Sequence, residues 1–216
     1  MDCCQCEGIE SKFDQAYAAK KLEEYRKEGP KATTKQLINA LRVENVEGAT
    51  LLDIGGGLGD IQHEMLGKGV REAQNVEASR AYLEASRVEA ERLGHLAQVR
   101  FIHGNFVDLA DELEPADIVT LDRVICCFHD MERLVALSSQ KAKGLYGVVY
   151  PRDVWWVKLG LQLYYNSRNW LKGNPMRYFF HSKKAVEDLL SEEGFDRQFH
   201  REMGSWQVVV FKRKPA

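Results

Sequence analysis

The chain has 216 residues, 44% of them hydrophobic, which suits one domain built around one core. Thirty basic and 32 acidic residues are mixed along it and leave a formal net charge of −2, without the basic excess of a dedicated nucleic-acid binder, so no nucleic-acid partner is expected. No stretch reaches the roughly 18 uninterrupted apolar residues of an integral membrane span. The opening MDCCQCEGIESK lacks the apolar centre of a secretory signal, and five cysteines form no disulfide framework, so a reducing, cytoplasmic setting is expected.

Residues 10–28, rich in Ala, Lys, Glu and Leu, predict a helix that stops at Gly29-Pro30. Thr33 or Thr34 is expected to cap a second helix through Arg42, with Leu37, Ile38 and Leu41 on one side. ATLLDIG reads as a short buried strand, residues 59–68 as a helix, and AQNVEA as a second strand. SRAYLEASRVEAERLG is an amphipathic helix with Ser79 as its cap and Gly94 as its stop. QVRFIHG and ADIVTLD are a third and a fourth strand, MERLVALSSQKA is a helix, and GLYGVVYP is a fifth strand ended by proline. Strands alternating with helices predict an α/β fold with parallel strands and helices on both faces. Residues 152–180 interrupt the rhythm with an aromatic-rich insertion. SKKAVEDLLSEEG is then a helix, and FDRQFHRE and WQVVVFKR predict an antiparallel hairpin around Met203-Gly204-Ser205.

The chemistry is concentrated in LLDIGGGLGD, residues 51–60. A dinucleotide fingerprint needs glycines at its first, third and sixth positions, and neither Gly55 nor Gly57 starts such a series. No Gly-Lys-Ser/Thr follows, so the triphosphate loop is absent as well. Asp60 stands at the helix start, where a phosphate would otherwise sit and be repelled. What remains is acidic-x-Gly-x-Gly-x-Gly: Asp53, Gly55, Gly57 and Gly59.

This pattern resembles the first motif of class I S-adenosylmethionine-dependent methyltransferases. The resemblance implies a Rossmann-like fold with a seven-stranded, mostly parallel sheet and an antiparallel last strand. It implies S-adenosyl-L-methionine as cofactor and S-adenosyl-L-homocysteine as product. That ligand is cationic at its sulfonium and ammonium and carries no phosphate, which suits a glycine loop flanked by acids. Glu77, about 20 residues on at the end of the second strand, is expected at the ribose hydroxyls. In the family a Gly-Asp pair after the third strand meets the adenine. Here it is Gly104-Asn105-Phe106, where the Asn105 carbonyl can still accept from the amino group. Phe106 lies by the purine or in the core, and Asp108 is an alternative acceptor. Leu121, Asp122 and Arg123 after the fourth strand are expected at the methionine end.

The resemblance leaves the acceptor open among O, N and C. The fourth-strand loop lacks the Asn-Pro-Pro-aromatic signature of amino-group nucleic-acid enzymes and the Pro-Cys of cytosine-C5 enzymes, which points to a small molecule. His129 and Asp130 are the candidate general bases; their alternative is a helix-capping or surface role. Trp155, Trp156, Tyr164 and Tyr165 in the insertion, with Tyr17 of the N-terminal arm, are expected to wall an apolar or aromatic substrate, and Arg152 to pair with a substrate carboxylate. Their alternative is a packed helical cap or a face leaning on a membrane surface. The insertion also resembles one in magnesium-protoporphyrin methyltransferases, whose substrate is not carried over. Phe13 and Tyr25 join Tyr17 as expected arm contacts. Cys3-x-x-Cys6 and Cys126-x-x-His129 have zinc-ligand spacing, set against two buried thiols and a frayed terminus; no metal is assigned.

The expected organisation is a single domain: residues 1–46 a helical arm, 47–151 the cofactor core, 152–181 the aromatic cap and 182–216 the C-terminal helix and strand pair. Two other functions stay open, a non-catalytic S-adenosylmethionine binder and an NAD-dependent oxidoreductase.

Overall fold

The computed structural model describes residues 4–215. The apolar runs between glycine and proline breakers become seven strands: β1 Thr50–Ile54, β2 Glu72–Glu77, β3 Val99–His103, β4 Ala116–Asp122, β5 Ala142–Pro151, β6 Phe195–Met203 and β7 Trp206–Arg213. They form one sheet of order β3-β2-β1-β4-β5-β7-β6. β1 to β5 pair in parallel, and β7 runs antiparallel to both β5 and β6.

Alternate strand residues feed two cores, because side chains along a strand point to opposite faces. On one face Leu52, Ile54, Val119 and Tyr146 pack with residues of the helices α7 (Met131–Lys141) and α10 (Lys183–Glu192). On the other, Leu51, Ile118 and Val149 pack with Leu37 and Leu41 of α3 (Ala32–Leu41) and with Ile61 and Met65 of α4 (Asp60–Leu66). β2 leads into α5 (Arg80–Leu93), where the Ser79 Oγ accepts from the Tyr82 N–H at 3.2 Å and Gly94 closes the helix in a left-handed conformation. The short α6 (Phe106–Leu109) follows β3.

The N-terminal region differs from the expected single helix. It is two, α1 (Cys4–Lys12) and α2 (Gln15–Glu28), because Asp14 takes an extended conformation and its carboxylate caps α2 at the Tyr17 N–H, 2.8 Å away. α3 starts at Ala32, so neither Thr33 nor Thr34 caps it; the Thr34 hydroxyl donates to Asp122 at the end of β4, and the Thr33 hydroxyl accepts from Arg123 just after it.

Residues 155–171 are helical throughout. α8 (Trp155–Leu159) and α9 (Asn166–Leu171) are joined by a π-helical turn over Gly160–Tyr165. The chain then returns along this helix. The Asn166 side chain bonds both backbone groups of Tyr178, at 2.9 and 2.7 Å, and Asn169 Nδ2 donates to the Met176 carbonyl at 2.9 Å. Gln5 of α1 ties arm to cap: Nε2 donates to the carbonyls of Cys127 and Arg177, both at 2.7 Å, and Oε1 accepts from the Arg177 N–H at 2.8 Å. Among the described residues no helix is long and apolar enough to cross a membrane.

Leu37 is fully buried between α3 and the sheet. Leu37→Ala is expected to lower the unfolding free energy by about 2–5 kcal/mol. Urea denaturation at an unchanged m-value checks it; a loss below about 1 kcal/mol would mean that the site collapses around the gap.

Candidate active site

β1 and β4 are neighbours in the sheet, and their chains continue toward opposite edges. At such a reversal the loops leaving the carboxyl ends of the strands part and leave a crevice. A cavity of about 760 Å³ lies there, in the size range of small-molecule sites. The glycine loop, the ends of β2 and β4, the N-terminal arm and the cap helix line it.

The glycines of the loop do different things. Gly57, at φ 56°, lines the cavity, and a Cβ there would find its nearest neighbour, Tyr82 Cδ2, at 3.9 Å, so the backbone is open to a ligand. Gly59, at φ 83°, does not line it: it shapes the turn into α4, and a Cβ would stand 2.5 Å from Gln62 Nε2. Gly55 lines the cavity, and its N–H donates to the Val76 carbonyl at 2.7 Å. Glu77 fastens the loop to β2. One carboxylate oxygen accepts from the Gly57 N–H at 2.9 Å and the other from the Ser79 N–H at 2.8 Å. Burial raises its pKa, and those backbone donors oppose the rise.

Six carboxyl groups line this cavity: Glu24 and Glu28 on the arm, and Asp53, Asp60, Glu77 and Asp122 around the strand ends. Asp53 is almost fully buried, and its Oδ1 accepts from the Thr120 hydroxyl at 2.7 Å. Burial first, with the charges of Asp122, Asp60 and Glu77 adding to it, pushes its pKa to about 8. Asp60 is pushed to about 6 by burial and then by Asp122, with Lys31 and Arg123 acting the other way. Asp122 Oδ2 accepts from the Thr34 hydroxyl at 2.5 Å. Its Oδ1 lies 3.2 Å from an Arg123 nitrogen but is not aligned for a hydrogen bond, and so keeps a buried lone pair free. The raised Asp53 and Asp60 favour a cationic ligand, because a carboxyl is easier to ionise beside a positive charge.

Arg123 is, among the described residues, the one non-glycine residue in the left-handed region, at φ 63°. Its N–H donates to the Val149 carbonyl at 2.8 Å, its guanidinium bonds the Thr33 hydroxyl, and it lies over the Trp206 ring at 5.0 Å. Such strain persists only where its surroundings impose it.

The remaining expected residues divide. Asn105 lines the cavity, but its carbonyl caps α6 at the Val107 N–H, 3.3 Å away, while its Nδ2 donates to Asp108. Phe106 lies in the core and also lines the cavity, so both of its expected roles have a geometric basis. Leu121 is fully buried in the core and does not line the cavity. Tyr17 and Tyr25 line it; Phe13 does too and stacks on Tyr82, ring centroids 5.1 Å apart. Trp156 and Tyr165 line it as well, whereas Trp155 and Tyr164 face solvent. The Arg152 guanidinium is taken up by Glu202 and by the Gly204 carbonyl at 3.0 Å, which holds the β6–β7 turn instead of reaching a substrate. Asp130 caps α7, accepting from the Arg133 N–H at 3.1 Å. His129 packs near Phe128 and Phe179 and does not line the cavity.

Cys6, Cys126 and Cys127 line the cavity, but no group of three or more His, Cys, Asp or Glu among the described residues can hold a metal. Cys3 lies outside the described residues. Tyr82 and Tyr178 are among the lining residues that were not anticipated. Tyr82 stands three residues after the Ser79 cap, in the helix turn that follows the acid-bearing strand, so spacing alone marks it. Tyr178 accepts a hydrogen bond from Lys12 Nζ at 2.8 Å, a contact 166 residues long in sequence with no local signal.

The model of the ubiE/COQ5 methyltransferase family matches residues 8–142. Among solved structures, magnesium protoporphyrin IX methyltransferase from Synechocystis with bound S-adenosylhomocysteine is 16% identical, with a TM-score of 0.67 over 84% of this chain and 82% of that one. A methyltransferase from Haloferax volcanii, solved in complex with a methyltransferase activator, is 13% identical, with a TM-score of 0.70 over 96% and 98%. An O-methyltransferase family protein from Burkholderia thailandensis is 15% identical, with a TM-score of 0.64 over 84% and 56%. No curated protein matches the sequence significantly.

The raised carboxyls set a pH dependence. The folded protein retains protons on Asp60 up to about pH 6 and on Asp53 up to about pH 8, protons that the unfolded chain has shed above about pH 4. Stability of the ligand-free protein should therefore fall as pH rises through that window. Asp53→Asn should flatten the decline in Tm between pH 5 and pH 8 and raise Tm at its alkaline end. An unaltered decline would show that Asp53 ionises without cost in the folded protein.

Proposed function

Because the chain belongs to the ubiE/COQ5 methyltransferase family, and so is an S-adenosylmethionine-dependent methyltransferase, we propose that the cavity at the ends of β1, β2 and β4 seats the cofactor and that the acceptor is a small apolar or aromatic molecule. The observation that carries this reading is the group of Asp53, Asp60, Glu77 and Asp122 beside an open Gly57. Bound S-adenosylmethionine supplies a methyl group on a sulfonium, an electrophile that needs no activation by the protein.

Glu77 is the ribose acceptor: its oxygens, already oriented by two N–H groups, retain lone pairs toward the cavity. Asp53, Asp60 and Asp122 attract the ammonium and sulfonium. Asn105 and Phe106 border the adenine end, and the stacked Phe13 and Tyr82 flank the ribose.

The acceptor space lies toward the cap, where Trp156, Leu161, Tyr165 and Tyr178 give apolar walls. Methyl transfer is an in-line displacement, so these walls act by holding the nucleophile on the methyl axis and excluding water. His129 is set aside as the base, because it does not line this space.

Calorimetry tests the cofactor assignment. S-adenosylmethionine and S-adenosylhomocysteine should bind and NAD should not. Glu77→Ala should weaken S-adenosylhomocysteine at least tenfold, the loss of about one buried charged hydrogen bond or more. Affinity for S-adenosylmethionine should rise from pH 6 to pH 8, because a cation favours ionised Asp53 and Asp60. Unchanged affinity in Glu77→Ala would remove that residue from the site. Formation of S-adenosylhomocysteine across a library of apolar and aromatic acceptors tests the substrate class; turnover confined to polar acceptors would overturn it.

A further inference from the structure

Of the thirteen large hydrophobic side chains exposed among the described residues, eight fall between Trp155 and Leu171. Trp155 is 76% exposed, Trp170 69%, Leu171 76% and Leu163 62%. The helix to which they belong is anchored on its inner side by the buried Val157, Leu161 and Asn169, so the outward display is not a failure to pack. Large apolar patches on a folded surface mark a partner.

Charge identifies the partner. Between Asp153 and Glu187 the sequence has no acidic residue and six basic ones, Lys158, Arg168, Lys172, Arg177, Lys183 and Lys184, in a chain whose net charge is −2. Lys158, Arg168 and Lys172 stand on the exposed helix or at its end, and none of the three forms an ion pair among the described residues. Exposed Trp, Tyr and Leu interleaved with cations that no carboxylate neutralises, on a helix too polar to span, are the pattern of an element that lies in the headgroup layer of an anionic bilayer. The aromatics take the boundary between chains and headgroups, and the cations take the lipid phosphates. A second copy of this chain would have to bury those cations against a surface of its own, and like charges meeting across a two-fold interface repel.

We propose that the face of residues 155–172 docks the protein on anionic lipid bilayers. The same helix carries Trp156, Leu161 and Tyr165 into the cavity wall, so docking brings the acceptor side of the cavity to the membrane surface. The inference goes beyond the enzyme reading and is read out without an acceptor.

Vesicle flotation of the full chain tests it, with phosphatidylcholine alone and with phosphatidylcholine containing about one-third phosphatidylglycerol. Binding to the mixed vesicles should exceed binding to the neutral ones at least tenfold and should weaken in high salt. Leu163→Ser/Trp170→Ser/Leu171→Ser should reduce it at least tenfold. Lys158→Gln/Arg168→Gln/Lys172→Gln should abolish the preference for the anionic lipid. Both triple variants should keep the wild-type affinity for S-adenosylhomocysteine, which shows that they fold. Absence of flotation with either vesicle would overturn the proposal. So would a gel-filtration dimer that the apolar triple variant dissolves, because a second copy would then cover the face.

Discussion

The Glu77 carboxylate is the joint on which the site turns. It sits at the end of β2, buried, and accepts one backbone N–H from the glycine loop and one from the start of α5. Those two bonds fix Gly57 relative to Ser79. Ser79 in turn caps α5 and donates its hydroxyl to the Phe13 carbonyl at 2.8 Å, which seats the arm. One side chain therefore sets the relation of a loop, a strand, a helix start and the N-terminal arm. A buried carboxylate is costly unless it is hydrogen-bonded, and this one meets that requirement with the donors that shape the cavity. Its stabilising contacts and its place on the cavity wall are the same geometry.

Below the loop a second buried layer serves the same end. Gln62 and Asn75 both donate to the Ser86 hydroxyl, at 2.9 and 3.2 Å, beneath the turn that Gly59 forms. Gln62 Oε1 and Asn75 Oδ1 remain without partners. A half-satisfied polar network is expensive in a core, yet it specifies position more sharply than apolar packing does. The glycine loop thus rests on polar side chains of fixed orientation, which suits a backbone that must lie flush against a ligand.

The sheet and the donor end were legible because their signals are local. Ser79, Gly94, Pro151 and the Gly204-Ser205 turn mark element ends by conformational preference alone, and Asp53 to Gly59 carry a spacing that resembles one family's first motif. Where reading failed, distance in sequence was the cause. Thr34 looked like a cap because it precedes a helix, but its hydroxyl is drawn to Asp122, 88 residues away. Arg152 looked free because Glu202 becomes its neighbour only when β7 inserts between β5 and β6. Trp155 and Trp156 are adjacent in sequence, and composition cannot say which of them turns inward; the packing of Val157 and Leu161 decides it. Phe13 and Asp14 broke the expected arm helix although the capping residue stood in plain view, since a run rich in Ala, Lys and Glu outweighs a single aspartate when propensities are summed.

The cavity is built from two halves with different physics. Its floor belongs to the sheet, where Asp53 lies in β1, Gly55 follows it and Asp122 ends β4, strands whose side chains are mostly buried. Its upper wall is arm and cap, joined by the amide of Gln5 to Cys127 and Arg177, by Asn174 to the Gly8 carbonyl at 3.0 Å, and by Lys12 to Tyr178. Those are single polar bonds between segments far apart in sequence, each worth about 1 kcal/mol net, against an apolar core many times larger. On the proposed assignment the donor lies against the sheet and the acceptor against arm and cap, a division that fits a reaction in which the donor is always the same and the acceptor must enter and leave.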